Sequence, residues 1–241
     1  YAAGVGDLTH NAGDDAELKS YLAARKTAPI DDFYELAGNH DHAAIAAGRW
    51  EKRIGRPERY VLEDGNTAWF FVSAERGKSD GLLSAVPARW LSREIQARQD
   101  KFNIIVCTHQ AVRGTVSQSD EEDTTINPPW RVKKLLADCR VDLWLCGHIH
   151  AGKRTRKYVA VRDGTTFVNV ASASRAYGTQ TCVGYVIEIP RGGKILSARC
   201  RDHERAGWID EQSVRVKLPH AVATSDRLKL TAGPAQPKDA D

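Results

Sequence analysis

Apolar and polar positions along the chain follow one rhythm up to residue 150 and another after it. In the first stretch, short apolar runs that read as strands alternate with segments of helical spacing. Residues 1–6 read as the end of a buried strand entering a Gly6-Asp7 turn. Leu18, Tyr21 and Leu22 fall on one face between residues 14 and 28, and Pro29 follows, which predicts a helix. A short strand is expected over 32–37, one helix over 43–53, and two strands over 59–62 and 67–72 around the turn signal Asp64-Gly65-Asn66. Residues 87–99 place Trp90, Leu91 and Ile95 on one helical face, and 102–107 form a continuous apolar strand. The segment 110–127 is polar, with Asp120-Glu121-Glu122-Asp123 at its centre, and reads as a long loop. Asn127-Pro128 predicts a helix start with Asn127 as cap, followed by Val132, Leu135, Leu136 and Cys139 at i, i+3, i+4 and i+7. A buried strand over 141–146 precedes Gly147-His148.

Beyond residue 150 only strands are expected, at about 158–161, 165–170, 182–189, 194–200 and 213–218. Strand–helix alternation followed by a β-rich half predicts an α/β architecture of two sheets packed face to face and flanked by helices. We expect one domain over 1–224 and a flexible C-terminal tail over 225–241, which is polar and aperiodic. The chain of 241 residues is long enough to bury a substantial core. Five cysteines, odd in number and set in apolar segments, read as buried thiols of a reducing compartment such as the cytoplasm. No apolar run approaches the ~18 residues that cross a bilayer. A net charge of +4 suits anionic substrates and gives no basis for nucleic-acid binding. Nothing in the pattern speaks to oligomeric state.

Four short motifs stand at the ends of apolar runs: Gly6-Asp7, Gly38-Asn39-His40-Asp41, Thr108-His109-Gln110 and Gly147-His148-Ile149-His150. Open α/β sheets place ligands past the carboxyl ends of their strands, so these residues can converge although they are distant in sequence. A carboxylate, an amide oxygen and three imidazoles make a mixed oxygen and nitrogen donor set, suited to Mn, Fe, Zn or similar divalent ions. In order and spacing the motifs resemble those of the calcineurin-like metallophosphoesterases, over roughly residues 6–170. That family's usual first motif, D-x-H, has no counterpart here, because the sequence opens six residues before Asp7. The absence of methionine at position 1 leads us to expect that the natural product begins upstream of Tyr1 or was processed there.

The resemblance implies a four-layer α-β-β-α sandwich of two mixed sheets and hydrolysis of a small phosphomonoester or phosphodiester, a cyclic nucleotide among the candidates, by a metal-activated hydroxide. It implies two metal ions about 3.5–4 Å apart in the intact site. Asp7 would bridge them, Asn39, His109 and His148 would complete one, and His150 would bind the other. The first site then keeps four protein ligands and the second keeps Asp7 and His150, so one ion is expected to load and its neighbour to bind weakly. Activity of a chain beginning at Tyr1 is correspondingly expected to be low. His40 would serve as general acid beside the leaving oxygen, with Asp41 orienting its imidazole, and Asn39, His40 and His10 would face the substrate. His42 is read as a supporting or surface residue. Cys107 and Cys146, two residues before ligand histidines, are read as buried strand ends rather than thiolate ligands. The basic run 153–157 is read as a solvated strand start. Two other readings are a metallo-nuclease of the same superfamily and a non-catalytic binding protein that keeps the fold.

Overall fold

A computed structural model describes residues 1–11, 14–75, 81–150, 157–172, 182–225 and 227–233. Its central layer is a seven-stranded mixed sheet in the order β12-β3-β4-β5-β6-β8-β7. Those strands are β3 (Arg59–Asp64), β4 (Thr67–Val72), β5 (Asn103–Thr108), β6 (Leu143–Cys146), β7 (Val159–Arg162), β8 (Thr165–Asn169) and β12 (Lys229–Ala232). The run β4-β5-β6-β8 is parallel and buried, which explains why these strands are apolar throughout rather than alternating. The second layer holds a parallel pair, β1 (Ala2–Val5) with β2 (Phe33–Leu36), and an antiparallel triplet, β9 (Val183–Glu188), β10 (Ile195–Asp202) and β11 (Gly207–Lys217).

One face of the large sheet packs on α4 (Ala85–Gln96) and α5 (Pro129–Asp138) through Trp90, Leu91, Ile95, Val132 and Leu135. The other face meets the second layer, with Leu62, Phe71 and Ile105 against Leu36 of β2 and Leu196 and Val216 of the triplet. A smaller cluster of Leu18, Ile45, Trp50 and Ile54 holds α1 (Asp15–Thr27), α2 (His42–Ala46) and α3 (Arg49–Ile54) together around Ala37. The layered α/β arrangement agrees with the sandwich expected from the motifs.

Three local expectations need correction. The helix expected over 43–53 is two helices, because Gly48 takes a left-handed φ of 67° between α2 and α3. Pro128, not Asn127, stands at the cap of α5. The Asn127 side chain instead donates to the carbonyls of Glu122 and Thr125 and ties down the preceding loop. The tail expected to be flexible from residue 225 contains β12. This strand covers the free edge of β3, pairing Lys229 with Glu63 and Leu230 with Leu62, and Lys229 Nζ lies 3.5 Å from Glu63 Oε2. An edge strand gains hydrogen-bond partners for one side of the sheet, and Leu228 adds apolar contact with the core between the layers. Four of the five residues in the basic run 153–157 lie outside the described residues.

Phe71 is fully buried between the layers and its ring stacks on Tyr60 at 4.7 Å. Phe71→Ala is expected to lower unfolding free energy by about 3–5 kcal/mol, as large-to-small changes in cores do. Chemical denaturation of both proteins checks this, and a loss below 1 kcal/mol would show that the two layers are not held together there.

Candidate metal centre

Every motif residue follows the carboxyl end of a strand: Asp7 after β1, Asn39 after β2, His109 after β5 and His148 after β6. Because β1 and β2 belong to the second layer, the site forms where the two layers open at the same end. His109 is buried at its centre. Its Nε2 lies 3.0 Å from Asp7 Oδ2, 2.9 Å from Asn39 Oδ1 and 3.1 Å from His148 Nδ1. The donor atoms of Asp7, His109 and His148 all fall within 4.8 Å of one another.

The opposite nitrogen of each imidazole decides what these atoms can do. His109 Nδ1 donates to the Val5 carbonyl at 2.7 Å, and His148 Nε2 donates to the Asp123 carbonyl at 3.1 Å. A carbonyl only accepts, so both of those nitrogens carry hydrogen, and the neutral rings turn bare Nε2 and Nδ1 lone pairs inward. Four inward acceptors cannot satisfy one another. A proton on His109 or a metal ion resolves the conflict, and backbone carbonyls orienting ligand imidazoles are a usual support of metal sites. The residues present fit a divalent ion bound by Asp7, Asn39, His109 and His148.

The electrostatics agree. Burial works to raise the Asp7 carboxyl, but the hydrogen bond and charge of His109, with the His40 backbone N–H, outweigh it and hold it at about 2. Burial works to strip the proton from His109, yet Asp7 beside it raises its affinity for that proton. His148 is pushed down to about 4, first by burial and then by the charge of His109. Burial also lowers His150, against the pull of Asp7.

The backbone around the site is strained or crowded. Asp7, His148 and His150 all adopt left-handed φ values, of 55°, 61° and 49°, a conformation that residues other than glycine adopt reluctantly. Gly38 is obligatory for a steric reason: a Cβ there would stand 2.2 Å from Asp7 Oδ1 and 2.8 Å from His109 Cε1.

Asp41 departs from its expected role. Its carboxylate accepts from Leu8 N, Thr9 N, Thr9 Oγ1 and Gly38 N, at 3.1, 3.0, 2.8 and 2.9 Å, so it ties the Asp7 loop to the 38–41 turn instead of orienting His40. Burial raises its pKa against those hydrogen bonds. His40 Nδ1 is held by the His10 carbonyl at 2.7 Å, and the His10 ring, itself exposed, stacks on His40. His42 supports Asn39 by donating to its carbonyl. His150 stands outside the convergent group, within electrostatic reach of Asp7, His109 and His40. Cys107 and Cys146 are buried thiols, the first raised by burial and the second pushed up to about 12, which does not suit them to metal binding. The carbonyls of Val5 and Asp123 were not legible in the sequence, since any residue offers one.

The model of the calcineurin-like phosphoesterases matches residues 4–152, which hold all four motifs. The chain belongs to that family. A probable glycerophosphodiester phosphodiesterase, GpdQ, of Arcobacter nitrofigilis is 29% identical over 152 residues, 61% of this chain and 55% of that protein. The chain thus spans about half the length of the curated relative it matches. Vps29 of Chaetomium thermophilum aligns with 96% of this chain and 81% of its own at 15% identity, with a TM-score of 0.38. Among the described residues, no helix is long and apolar enough to cross a membrane.

Two measurements test the centre. Gly38→Ala is expected to weaken Mn²⁺ or Zn²⁺ binding by about 10–100-fold, the range for disturbing residues that orient ligands, and titration calorimetry reads it directly. Unchanged affinity would mean that the ion does not sit between Asp7 and His109. At pH 6, Asp7 and His148 have already lost their protons, whereas His109 still holds one. Metal binding is therefore expected to release about one proton, and fewer as pH rises through the raised His109 pKa. Calorimetry in buffers of different ionisation enthalpy counts them, and two or more protons at pH 6 would contradict the assignment.

Proposed function

We propose that the chain hydrolyses a small phosphodiester, or a phosphomonoester, with a divalent ion held by Asp7, Asn39, His109 and His148. The observation that carries this reading is the convergence of four lone-pair donors at His109 Nε2, with both imidazoles presented in the tautomer that ligates. Membership of a phosphoesterase family and the name of the Arcobacter relative support phosphoester chemistry and favour the diester. A bound ion supplies the positive charge that draws phosphate oxygens and acidifies water.

The remaining roles belong to the chain. Asp7, its carboxyl held at about 2, stays ionised near neutral pH. Together with His150 it would hold a second ion, the two serving that position among the described residues. His40 exchanges the proton at the leaving oxygen through Nε2, because Nδ1 is engaged by the His10 carbonyl. Asn39, His40 and the exposed His10 border the substrate. Asp41 acts through the loop it braces.

With Mn²⁺ added, the chain is expected to hydrolyse bis(p-nitrophenyl) phosphate, and His109→Ala is expected to lower kcat/KM by about 100-fold or more, since it removes the ligand that the other three surround. His150→Ala is expected to leave one ion tightly bound while reducing turnover. Undiminished hydrolysis after exhaustive chelation would refute the proposal.

A further inference from the structure

The imidazole of His40 is held by a chain of contacts that begins outside the metal centre, on α1. Asp14 caps that helix, accepting from Ala16 N and Glu17 N, which fixes the first turn. From there the Glu17 carboxylate reaches back to the preceding turn. Oε2 accepts from His10 N at 2.6 Å and Asn11 N at 2.9 Å, and Oε1 accepts from Asn11 Nδ2 at 2.5 Å. Holding both peptide N–H groups fixes the orientation of the residue 10–11 peptides. The His10 carbonyl then receives His40 Nδ1 at 2.7 Å, and the His10 ring covers the His40 ring at 5.4 Å with their planes 16° apart. The backbone of His40 is anchored as well: its N donates to Asp7 Oδ1 at 2.9 Å and its carbonyl accepts from Thr9 Oγ1 at 3.2 Å.

We propose that Glu17 is a positioning residue, which clamps the His10–Asn11 turn so that the His10 carbonyl fixes the tautomer and orientation of His40. The proposal rests on the reading of His40 as the group that exchanges a proton with the leaving oxygen. A carboxylate is suited to the task because it offers two acceptor oxygens to three converging donors. Without it, the His10 and Asn11 N–H groups lose the carboxylate that holds them, and the His10 carbonyl selects Nδ1–H over Nε2–H on His40 less firmly.

The test uses the full chain labelled with ¹⁵N-histidine, with His40 assigned by the signals lost in His40→Gln. Long-range ¹H–¹⁵N correlation reports which nitrogen carries hydrogen. The parent is expected to show Nδ1–H, Glu17→Ala a mixture of both tautomers, and Glu17→Gln, which retains one acceptor oxygen for the two backbone N–H groups, mostly Nδ1–H. Asp15→Ala removes ion pairs to Lys19 and Arg53 at the same helix end, and it is expected to leave His40 unchanged. In the Mn²⁺-loaded protein, Glu17→Ala is expected to lower kcat by about 10–100-fold with little change in KM, the range for losing a residue that orients another. A Glu17→Ala protein that keeps pure Nδ1–H and turns over within twofold of the parent would overturn the proposal. So would an equal change in Asp15→Ala, which would reduce the effect to helix stability. The tautomer readout needs no turnover, so a chain inactive on every ester tried would refute the proposed function and leave this test standing.

Discussion

His109 places one nitrogen against a carboxylate, an amide oxygen and a second imidazole, and the rest of this end of the molecule is arranged to make that crowding tolerable. Each neighbour presents a lone pair, so the contact is repulsive until a proton or a metal ion enters it. The protein keeps it in place by burying His109 at the end of a fully buried parallel strand and by anchoring its far nitrogen to Val5. Asp7 and His109 thereby tune each other: one carboxyl is held at about 2 and one imidazole is made more basic. A site of this kind has high intrinsic demand for a cation, which is the property a family of phosphoesterases requires.

The strained backbone follows from the same demand. Strands from two layers end here, and their donors must turn sharply inward within one or two residues. Asp7 and His148 accept left-handed φ values to do so, at a cost of about 1–3 kcal/mol each. Gly38 removes the atom that would otherwise stand between Asp7 and His109. The buried carboxylate of Asp41 braces the arrangement, joining the Asp7 loop to the 38–41 turn through four hydrogen bonds. Its part in the site is mechanical, although its place in the motif suggested contact with the imidazole of His40.

Loops far apart in sequence also meet at the convergent side chains. The acidic segment centred on Asp120 to Asp123 reads as a solvated loop, yet the Asp123 carbonyl holds His148. The Asn127 side chain closes the same loop by donating to Glu122 and Thr125. The residue that looked like a helix cap is thus a staple for a loop that orients His148. Glu17, in the first turn of α1, gathers the turn that carries His10.

The sequence by itself determined the α/β class, nearly all of the strands, the four motifs and the family they resemble. These are legible because strand burial imposes apolar runs, helices impose a 3.6-residue rhythm, and ligand chemistry restricts residue types. It also singled out Asp7, Asn39, His109 and His148, which the fold brings together. What only the tertiary structure decided was the role of each backbone and carboxylate partner: the Val5, His10 and Asp123 carbonyls, the bracing by Asp41, and the pairing of β12 with β3. A carbonyl has no sequence signature, and a carboxylate bonds whatever N–H groups the fold brings within about 3 Å of it. Those choices depend on how two layers and their loops close on one another, which local pattern cannot express.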